Sequence, residues 1–185
     1  MPKTVNLTTP LKVEELEKLE PGDKVMLTGV IYTGRDAAHQ RMMDLLDEGK
    51  ELPFPIEGAI MYYVGPSPTK PGRVIGSAGP TTSYRMDKYS PPLLDLGMKG
   101  MIGKGNRGKE VVDSMVKNKA VYFAAIGGAA ALISEAIKKC DIIAWDDLGP
   151  EAVRKLEVEN MPLVVVNDTK GNDLYEIGRA KYKKD

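Results

Sequence analysis

The stretch TGRDAAHQRM, residues 33–42, carries groups that can bind an anion. A strand-like apolar run ends at Thr33 and a helical pattern follows at once, and the start of a helix leaves backbone N–H groups unpaired and favours negative charge. Arg35 at this junction could donate two N–H groups to one carboxylate. The alternative is that Asp36 caps the helix while Arg35 forms a surface ion pair. His39, one turn into the helix, more often has a structural than a catalytic role at such a position.

A second stretch, GPTTSYRMDKY at residues 79–89, places two threonines and a serine directly after a Gly-Pro turn. Thr81, Thr82 or Ser83 could each cap a helix, yet one hydroxyl is enough for that purpose. Arg85 follows Thr81 by four residues, so in a helix the hydroxyl and the guanidinium would share a face. This spacing indicates a second cradle for an anion, beside the capping interpretation.

A third stretch, GMIGKGNRGK at residues 100–109, resembles a phosphate-binding glycine loop only superficially. The Walker spacing fails because Gly105 is followed by asparagine rather than by the Lys-Ser/Thr pair. Gly103 and Gly105 flank Lys104, however, and let its backbone approach a ligand closely. The alternative is a flexible turn with a solvated lysine.

The three stretches together offer one cation each, namely Arg35, Arg85 and Lys104. Such a set suits a small dianion, for example a dicarboxylate. The residues supply no obvious acid–base pair, cofactor fingerprint or metal site. The pattern is therefore typical of half of an active site.

A fourth stretch, AAIGGAAALISEAIKKC, ends at Cys140. Gly127 and Gly128 lie between a strand-like and a helical segment, but the spaced third glycine of a dinucleotide fingerprint is absent. We interpret the pair as close helix–strand packing and Cys140 as an inert thiol of the core.

The composition excludes several classes of function. Lysine plus arginine and aspartate plus glutamate both number 26, so no basic surplus points to nucleic acid or to an acidic membrane surface. The single cysteine excludes an internal disulfide and a cluster held by this chain's thiolates alone, and it fits a reducing cytoplasm. The single histidine excludes a His-rich zinc site. No apolar run approaches the ~20 residues of a transmembrane helix, and the first residues lack a signal-peptide pattern.

The elements that position these residues are expected to form one α/β or α+β domain over residues 1–185, with 179–185 as a mobile tail. KVMLTGVIYTG, GAIMYYVGP and AVYFAAIGG are strand-like, and helical patterns lie between them. AAALISEAIKK predicts a helix, CDIIAWDDLG a strand, and PEAVRKLEVEN a helix or an extended arm. TTSYRMDKYSPPLLDLG predicts a helix that its two prolines break or restart. The polar stretches fall in loops, where open sheets usually place their sites.

In their order and spacing, TGRDAAHQRM, GPTTSYRMD and GMIGKG resemble one family. It is the beta subunit, or C-terminal domain, of the iron–sulfur class I fumarases and the related tartrate dehydratases. The similarity runs along nearly the whole chain, including WDDLGPEAVRKLEVENMPLVVVNDTKGNDLY. The resemblance implies a swivelling β/β/α domain, with three layers that include a mixed sheet and a barrel-like β layer.

The resemblance also implies a reaction, the reversible hydration of fumarate to L-malate in the tricarboxylic acid cycle, and a division of labour. A 4Fe–4S cluster would be held by a partner alpha subunit and not by this chain, so a hetero-oligomer is expected. The roles that it implies fall on these residues: carboxylate binding on Arg35 and Arg85, substrate hydrogen bonding on Thr81, an added cation on Lys104, the base on Thr82, and supporting positions at Asp36, His39 and Ser83.

Two other functions stay open at this stage. The beta subunit of L-tartrate dehydratase would use the same chemistry on a dihydroxy acid, and the shared motifs do not separate it from a fumarase. A stand-alone module that binds anions without catalysis is the third interpretation, because this chain lacks the cysteines that would hold a cluster.

Overall fold

The computed structural model describes residues 1–125 and 130–183. Within these ranges the strands are β1 Thr4–Thr8, β2 Lys24–Thr33, β3 Ile60–Tyr62, β4 Gly100–Gly103, β5 Val121–Ala125, β6 Ile137–Ala144 and β7 Val153–Asn167. The α-helices are α1 Val13–Leu16, α2 Asp36–Asp47, α3 Ser90–Asp95, α4 Lys109–Asn118, α5 Ala130–Ala136 and α6 Leu174–Tyr182. Short 3₁₀ helices occupy Ser83–Met86 and Asp146–Glu151.

The strands form one mixed sheet that closes into a barrel. β2, β3, β4 and β5 are neighbours in that order and run parallel. β7 runs antiparallel to both β5 and β2 and so closes a five-stranded ring. β1 extends the sheet beside the first half of β2, and β6 pairs with the first half of β7. The mixed sheet and the barrel-like layer predicted for the chain are confirmed.

Alternation along the strands separates two hydrophobic clusters. On β3, Ile60 and Tyr62 pack into the cluster inside the barrel, whereas Met61 between them packs into a second cluster on the outer face. Helices α2, α3 and α4 cover that outer face, with Met42 of α2 among its buried side chains. α1 and α5 instead add side chains to the inner cluster, for example Leu16. The inner core, the sheet and the outer helices thus form the layers of the fold.

Along residues 130–167 one predicted element differs from the structure, and a second takes one of its two predicted forms. The helix predicted for AAALISEAIKK ends at Ala136, and Ile137 already begins β6. In β6 the buried Ile137 is followed by two exposed lysines, Lys138 and Lys139, and β6 lies at the edge of the sheet, where exposed lysines are common. For PEAVRKLEVEN the extended alternative is found from Val153 onward, where the chain continues through MPLVVVN as the 15-residue β7. Its first two residues, Pro150 and Glu151, still belong to the 3₁₀ helix.

The helix predicted from Thr81 is broken and restarted, as its two prolines led us to expect, but its first part is shorter than predicted. A single 3₁₀ turn at Ser83–Met86 replaces its first part, and α3 restarts at Ser90. The two prolines fall in the first turn of α3, where a missing N–H group costs nothing. At the C-terminus α6 continues to Tyr182, through four residues of the predicted tail. No helix among residues 1–125 and 130–183 is long and apolar enough to cross a bilayer.

Candidate functional site

The carboxyl ends of parallel strands bring the first and third polar stretches to one edge of the barrel. Arg35 lies two residues after β2, and Lys104 directly follows β4. Between them, β3 ends at Tyr62 and leads into Tyr63. Gly34 N–H donates to the Tyr62 carbonyl at 3.1 Å, and Tyr63 N–H donates to the Ile102 carbonyl at 2.9 Å. Ligand sites of parallel sheets commonly lie at this end of the strands.

The threonine stretch is hydrogen-bonded into the same edge, between the ends of β3 and β4. Thr81 N–H donates to the Tyr63 carbonyl at 2.7 Å, and Lys104 N–H donates to the Thr81 carbonyl at 3.2 Å. Ser83 N–H in turn donates to the Lys104 carbonyl at 2.9 Å, so Thr82 and Lys104 form a parallel bridge. The backbone of both threonines is therefore fixed by strand-like pairing.

This placement tests the capping interpretation of Thr82. Thr82 is the N-cap of the 3₁₀ helix, yet in the described chain its side chain makes no capping hydrogen bond. Thr81 and Thr82 are half-buried, and Lys104 beside them is exposed. The capping interpretation is wrong for Thr82. Its hydroxyl is left accessible at the edge of the barrel where β2, β3 and β4 end, which we call the rim.

Arg85 joins the second stretch to the first. Its Nε donates to Asp36 Oδ1 at 3.2 Å, and its Nη2 lies 2.9 Å from Asp36 Oδ2. Asp36 is the first residue of α2, where the helix dipole favours a carboxylate. The side chains are 46% and 33% exposed, so such a pair contributes little to stability. The pair instead fixes the orientation of the Arg85 guanidinium, since Nε and Nη2 contact Asp36 and Nη1 is left outside the pair.

Arg35 occupies the N-cap position of α2 and packs against Gly65. A Cβ atom at Gly65 would lie 2.9 Å from Nη1 of Arg35 and 3.1 Å from its Cδ, so a larger residue there would displace this side chain from its present position. Nε of Arg35 is buried without a hydrogen-bond partner among the described residues. The surface ion pair considered for Arg35 is not formed within those residues. A buried donor of this kind is costly unless a ligand completes it.

The backbone N–H groups at the start of α2 are less available to a ligand than the sequence suggested. The Ala37 N–H group donates to Glu151 Oε1 at 3.3 Å. Glu151 ends the 3₁₀ helix that precedes β7, so a carboxylate of the protein itself already contacts the amide that an external anion would use. Beside this amide, Nε of Arg35 is a donor with no partner among the described residues.

His39 lies behind this rim. Its Nδ1 is 2.7 Å from the Arg35 carbonyl, which can only accept, so Nδ1 carries the proton. Nε2 is then an acceptor, and it is buried without a partner among residues 1–125 and 130–183. Burial lowers the pKa of His39 to about 4, and the ring packs between Tyr63 and Tyr89. A neutral His39 therefore supports the backbone of Arg35.

Ser83 turns inward from the rim. Its Oγ lies 2.7 Å from the hydroxyl of Tyr122, which donates to the Gly105 carbonyl at 2.8 Å. A Cβ atom at Gly103 would fall 1.9 Å from Ser83 Oγ. Gly103 is thus required for Ser83 to reach Tyr122, a different reason from the ligand approach that the sequence suggested.

Sequence reasoning missed a buried ion pair beneath the rim. Nε of Arg107 donates to Asp87 Oδ1 at 2.7 Å, and its Nη2 donates to Ser90 Oγ at 2.7 Å. The guanidinium lies 5.2 Å and 5.1 Å from the ring centres of Tyr63 and Tyr122. Asp87 also accepts the Gly108 N–H group at the start of α4. The only signal in the sequence was a second cation in the glycine stretch, three residues after Lys104.

No metal site is formed by this part of the molecule. Among residues 1–125 and 130–183, no three side chains of His, Cys, Asp or Glu lie together. Cys140 lies half-buried on β6, and burial raises the pKa of its thiol, which agrees with the interpretation as an inert thiol. Gly127 and Gly128 of the fourth stretch lie outside the described residues.

The arrangement gathers two arginines, one lysine and two threonine hydroxyls along one edge of the barrel. Arginine and lysine side chains can bind carboxylates and can stabilise negative charge that develops on one of them. Among the described residues, no three His, Cys, Asp or Glu side chains form a group that could hold a metal ion.

Comparison with known proteins places this edge in context. The family model described as "Fumarase C-terminus" matches residues 1–178. The class I anaerobic fumarate hydratase of Escherichia coli is 40% identical over 176 residues, which are 93% of this chain and 32% of that protein. The mitochondrial fumarate hydratase 1 of Leishmania major is 42% identical over 180 residues, 93% of this chain and 32% of that protein.

A shorter relative matches from end to end. A Methanocaldococcus jannaschii protein provisionally named L(+)-tartrate dehydratase subunit beta is 39% identical over 181 residues, 94% of this chain and 93% of that protein. The chain thus spans about a third of the length of the fumarate hydratases, and nearly the whole of this relative.

Proposed function

The chain belongs to the fumarase C-terminus family, and on that premise we propose that it is the beta subunit of an iron–sulfur hydro-lyase that interconverts fumarate and L-malate. The observation that carries this proposal is the backbone pairing that holds Thr81 and Thr82 beside Lys104 at one edge of the barrel. Arg35 lies at the same edge, and Arg85 is joined to it by the ion pair with Asp36. A small dicarboxylate is a ligand of the size and charge that such a set of donors suits.

Arg35 and Arg85 are the proposed carboxylate-binding residues. Nε of Arg35 is buried and without a partner in the described chain, and a substrate carboxylate would satisfy it. Arg85 is held side-on by Asp36, and its Nη1 would reach the second carboxylate. Thr81 would hydrogen-bond the substrate, and Lys104 would add positive charge at the rim.

Thr82 is the proposed base. In the dehydration of malate it would take a proton from the carbon beside a carboxylate, and the electron pair left on that carbon would form the double bond as the hydroxide departs. An alcohol can act in this way only as an alkoxide held by nearby cations in a closed, dry site. Lys104, joined to Thr82 by backbone pairing, and Arg85, three residues on, support this role. They help catalysis to the extent that they bind the developing charge more strongly than the ground state.

The iron–sulfur cluster does not fit this chain's own residues. The sequence holds one cysteine, Cys140, and the described residues contain no cluster of metal-binding side chains. A 4Fe–4S cluster is held by cysteine thiolates. We therefore assign it to a cysteine-bearing alpha subunit and this chain to a hetero-oligomer with that subunit. The match to one third of each fumarate hydratase, and to nearly all of a protein named subunit beta, supports this division.

A reducing cytoplasm is the proposed compartment. One cysteine and no internal disulfide suit such a location, and equal numbers of acidic and basic residues give no reason to add nucleic acid or membrane as a partner.

Tartrate dehydration, which would yield oxaloacetate, is the second candidate. It is favoured by the end-to-end match to the protein named L(+)-tartrate dehydratase subunit beta. Coexpression with the cysteine-bearing partner without oxygen, followed by assay of malate against tartrate, separates the two. Formation of fumarate from malate supports our proposal. Turnover of tartrate alone would replace it with the second candidate.

The non-catalytic module is tested on this chain alone. Calorimetry with malate and fumarate should show weak binding or none, because the partner half of the site is missing. Tight dicarboxylate binding by the isolated chain, together with no turnover in the complex, would favour an anion-binding module instead.

A further inference from the structure

A hydrogen-bonded bridge formed by the hydroxyl groups of Ser83 and Tyr122 lies beneath the rim and connects the two stretches that carry Thr82 and Lys104. Ser83 Oγ lies 2.7 Å from the Tyr122 hydroxyl, and that hydroxyl lies 2.8 Å from the Gly105 carbonyl. A carbonyl can only accept, so the one phenolic proton of Tyr122 goes to Gly105. Ser83 must then donate its own proton to Tyr122. The direction of both hydrogen bonds is thereby fixed.

The position of this bridge in the sequence is informative. Ser83 directly follows Thr82, and Gly105 directly follows Lys104. The bridge therefore crosses between the residues next to the proposed base and the proposed cation, one step beyond their backbone pairing. Tyr122 belongs to the neighbouring strand β5 and is fully buried, as is Ser83.

Neighbouring residues hold the bridge in place. The absence of a side chain at Gly103 gives Ser83 Oγ its room, since a Cβ atom there would lie 1.9 Å away. The guanidinium of Arg107 lies 5.1 Å from the centre of the Tyr122 ring, a cation–π contact that restrains the ring. Burial raises the pKa of Tyr122, so the phenol keeps the proton that it donates to Gly105.

We propose that Tyr122 is a positioning residue, which with Ser83 holds Thr82 and Lys104 at the spacing that the reaction needs. This inference rests on the proposed function for the roles of Thr82 and Lys104. Tyr122 itself does not touch the substrate, because its hydroxyl is occupied by Ser83 and Gly105. It acts by preorganisation, since small displacements of reacting groups lower turnover steeply.

Tyr122→Phe and Ser83→Ala each remove the bridge while keeping the local volume close to its native value. In the reconstituted complex we expect each variant to lower kcat about tenfold and to change KM by less than about twofold. The double variant should be no slower than the slower single variant, because both changes remove one unit. Tyr32→Phe, a buried tyrosine on β2 stacked on Phe54, is the matched control and should keep kcat.

Hydrogen exchange on this chain alone gives a readout that does not depend on activity. In Tyr122→Phe the amides of Ser83 and Lys104, which form the register between the two stretches, should exchange about tenfold faster, while amides of β2 and β7 keep their rates. Unchanged exchange at both amides would overturn the proposal. Faster exchange throughout the barrel would also overturn it, because Tyr122 would then only stabilise the fold.

The kinetic results carry their own tests. A Tyr122→Phe enzyme with kcat within about twofold of the wild type, or strictly additive losses in the double variant, would contradict the positioning role. If the wild-type complex turns over neither malate nor tartrate, the proposed function fails. The exchange measurement still decides whether Tyr122 holds the two stretches together.

Discussion

Arg85 is held side-on by Asp36, with Nε and Nη2 of the guanidinium facing the two carboxylate oxygens. This pair joins the threonine stretch to the start of α2, so the residue predicted to bind substrate is already aligned by the protein. Asp36→Asn would keep the shape and remove the charge. We expect KM for malate to rise about fivefold with a change in stability below about 1 kcal/mol, because the pair is exposed.

The matched control for Asp36→Asn lies on the same helix. Arg41 of α2 binds Asp147 through both nitrogen–oxygen pairs, at 2.9 Å and 2.6 Å. Asp147→Asn breaks a similar exposed pair away from the proposed site and should leave KM unchanged. Equal rises in KM for both variants would show that Asp36 acts through the helix as a whole and not through Arg85.

Arg35→Lys tests whether substrate binding needs the Nε–H group of the Arg35 guanidinium. Lysine keeps the charge, but it lacks the Nε–H group that is buried without a described partner at this position. A lost hydrogen bond to a charged group costs about 2 kcal/mol, so we expect kcat/KM for malate to fall about 30-fold. Arg73→Lys changes an exposed arginine and should have no effect. Steady-state kinetics that show the same fall for both variants would rule out a specific role for Arg35.

Thr82→Ala separates catalysis from binding. Removal of a general base commonly lowers turnover about 10²–10⁴-fold, and we expect kcat to fall by about 10³-fold with KM within about threefold. Thr81→Ala, one residue earlier, should instead raise KM more than it lowers kcat. The comparison requires both variants to bind the partner subunit normally. Equal losses of kcat and affinity in Thr82→Ala would count against its role as the base.

The stability of the chain should depend on pH through His39. Its pKa is about 4 in the folded chain and 6.5 ordinarily. Between pH ~6.5 and ~4 the unfolded chain therefore binds a proton at this histidine that the folded chain does not bind. The free energy of unfolding should therefore fall as the pH drops from about 6.5 to about 4. The loss should reach roughly 3 kcal/mol at the lower end.

Urea denaturation across this pH range measures the effect, and His39→Asn should flatten the curve between pH ~6.5 and ~4 because it removes the titrating group. His39 is the single histidine of the sequence, so its ring protons also report the titration directly by NMR. A midpoint near the ordinary value of 6.5 would contradict the burial that the structure gives to this ring.

Much of the fold could be predicted from periodicity, because most elements carry a clear pattern. β2 and α2 follow the branched and amphipathic runs that indicated them. The end of α5 was missed because Ile137 satisfies both a helical and a strand pattern, and pairing with β7 settles it. The closure of the barrel was not readable from local pattern at all, since β2 pairs with β7 across more than 120 residues of sequence.

In the proposed site the sequence indicated the cations and hydroxyls, but not their partners. Arg85 could be identified as a possible ligand, while its pairing with Asp36 depends on how two loops meet. Arg107 was missed because a buried arginine and an exposed one look alike in sequence. Its burial depends on contacts with residues distant in the chain, among them Asp87 and Tyr63. The filling of the α2 amino end by Glu151 is likewise a contact between residues 114 positions apart.

Gly103 has a consequence for anyone who redesigns the specificity of this site. It offers no functional group and no side chain, yet one added methyl group there would collide with Ser83 Oγ. Ser83 would have to move, and Thr82 is its immediate neighbour in the chain. We therefore expect an alanine at position 103 to change the position of the Thr82 hydroxyl relative to Lys104, although every polar group at the rim keeps its chemical identity.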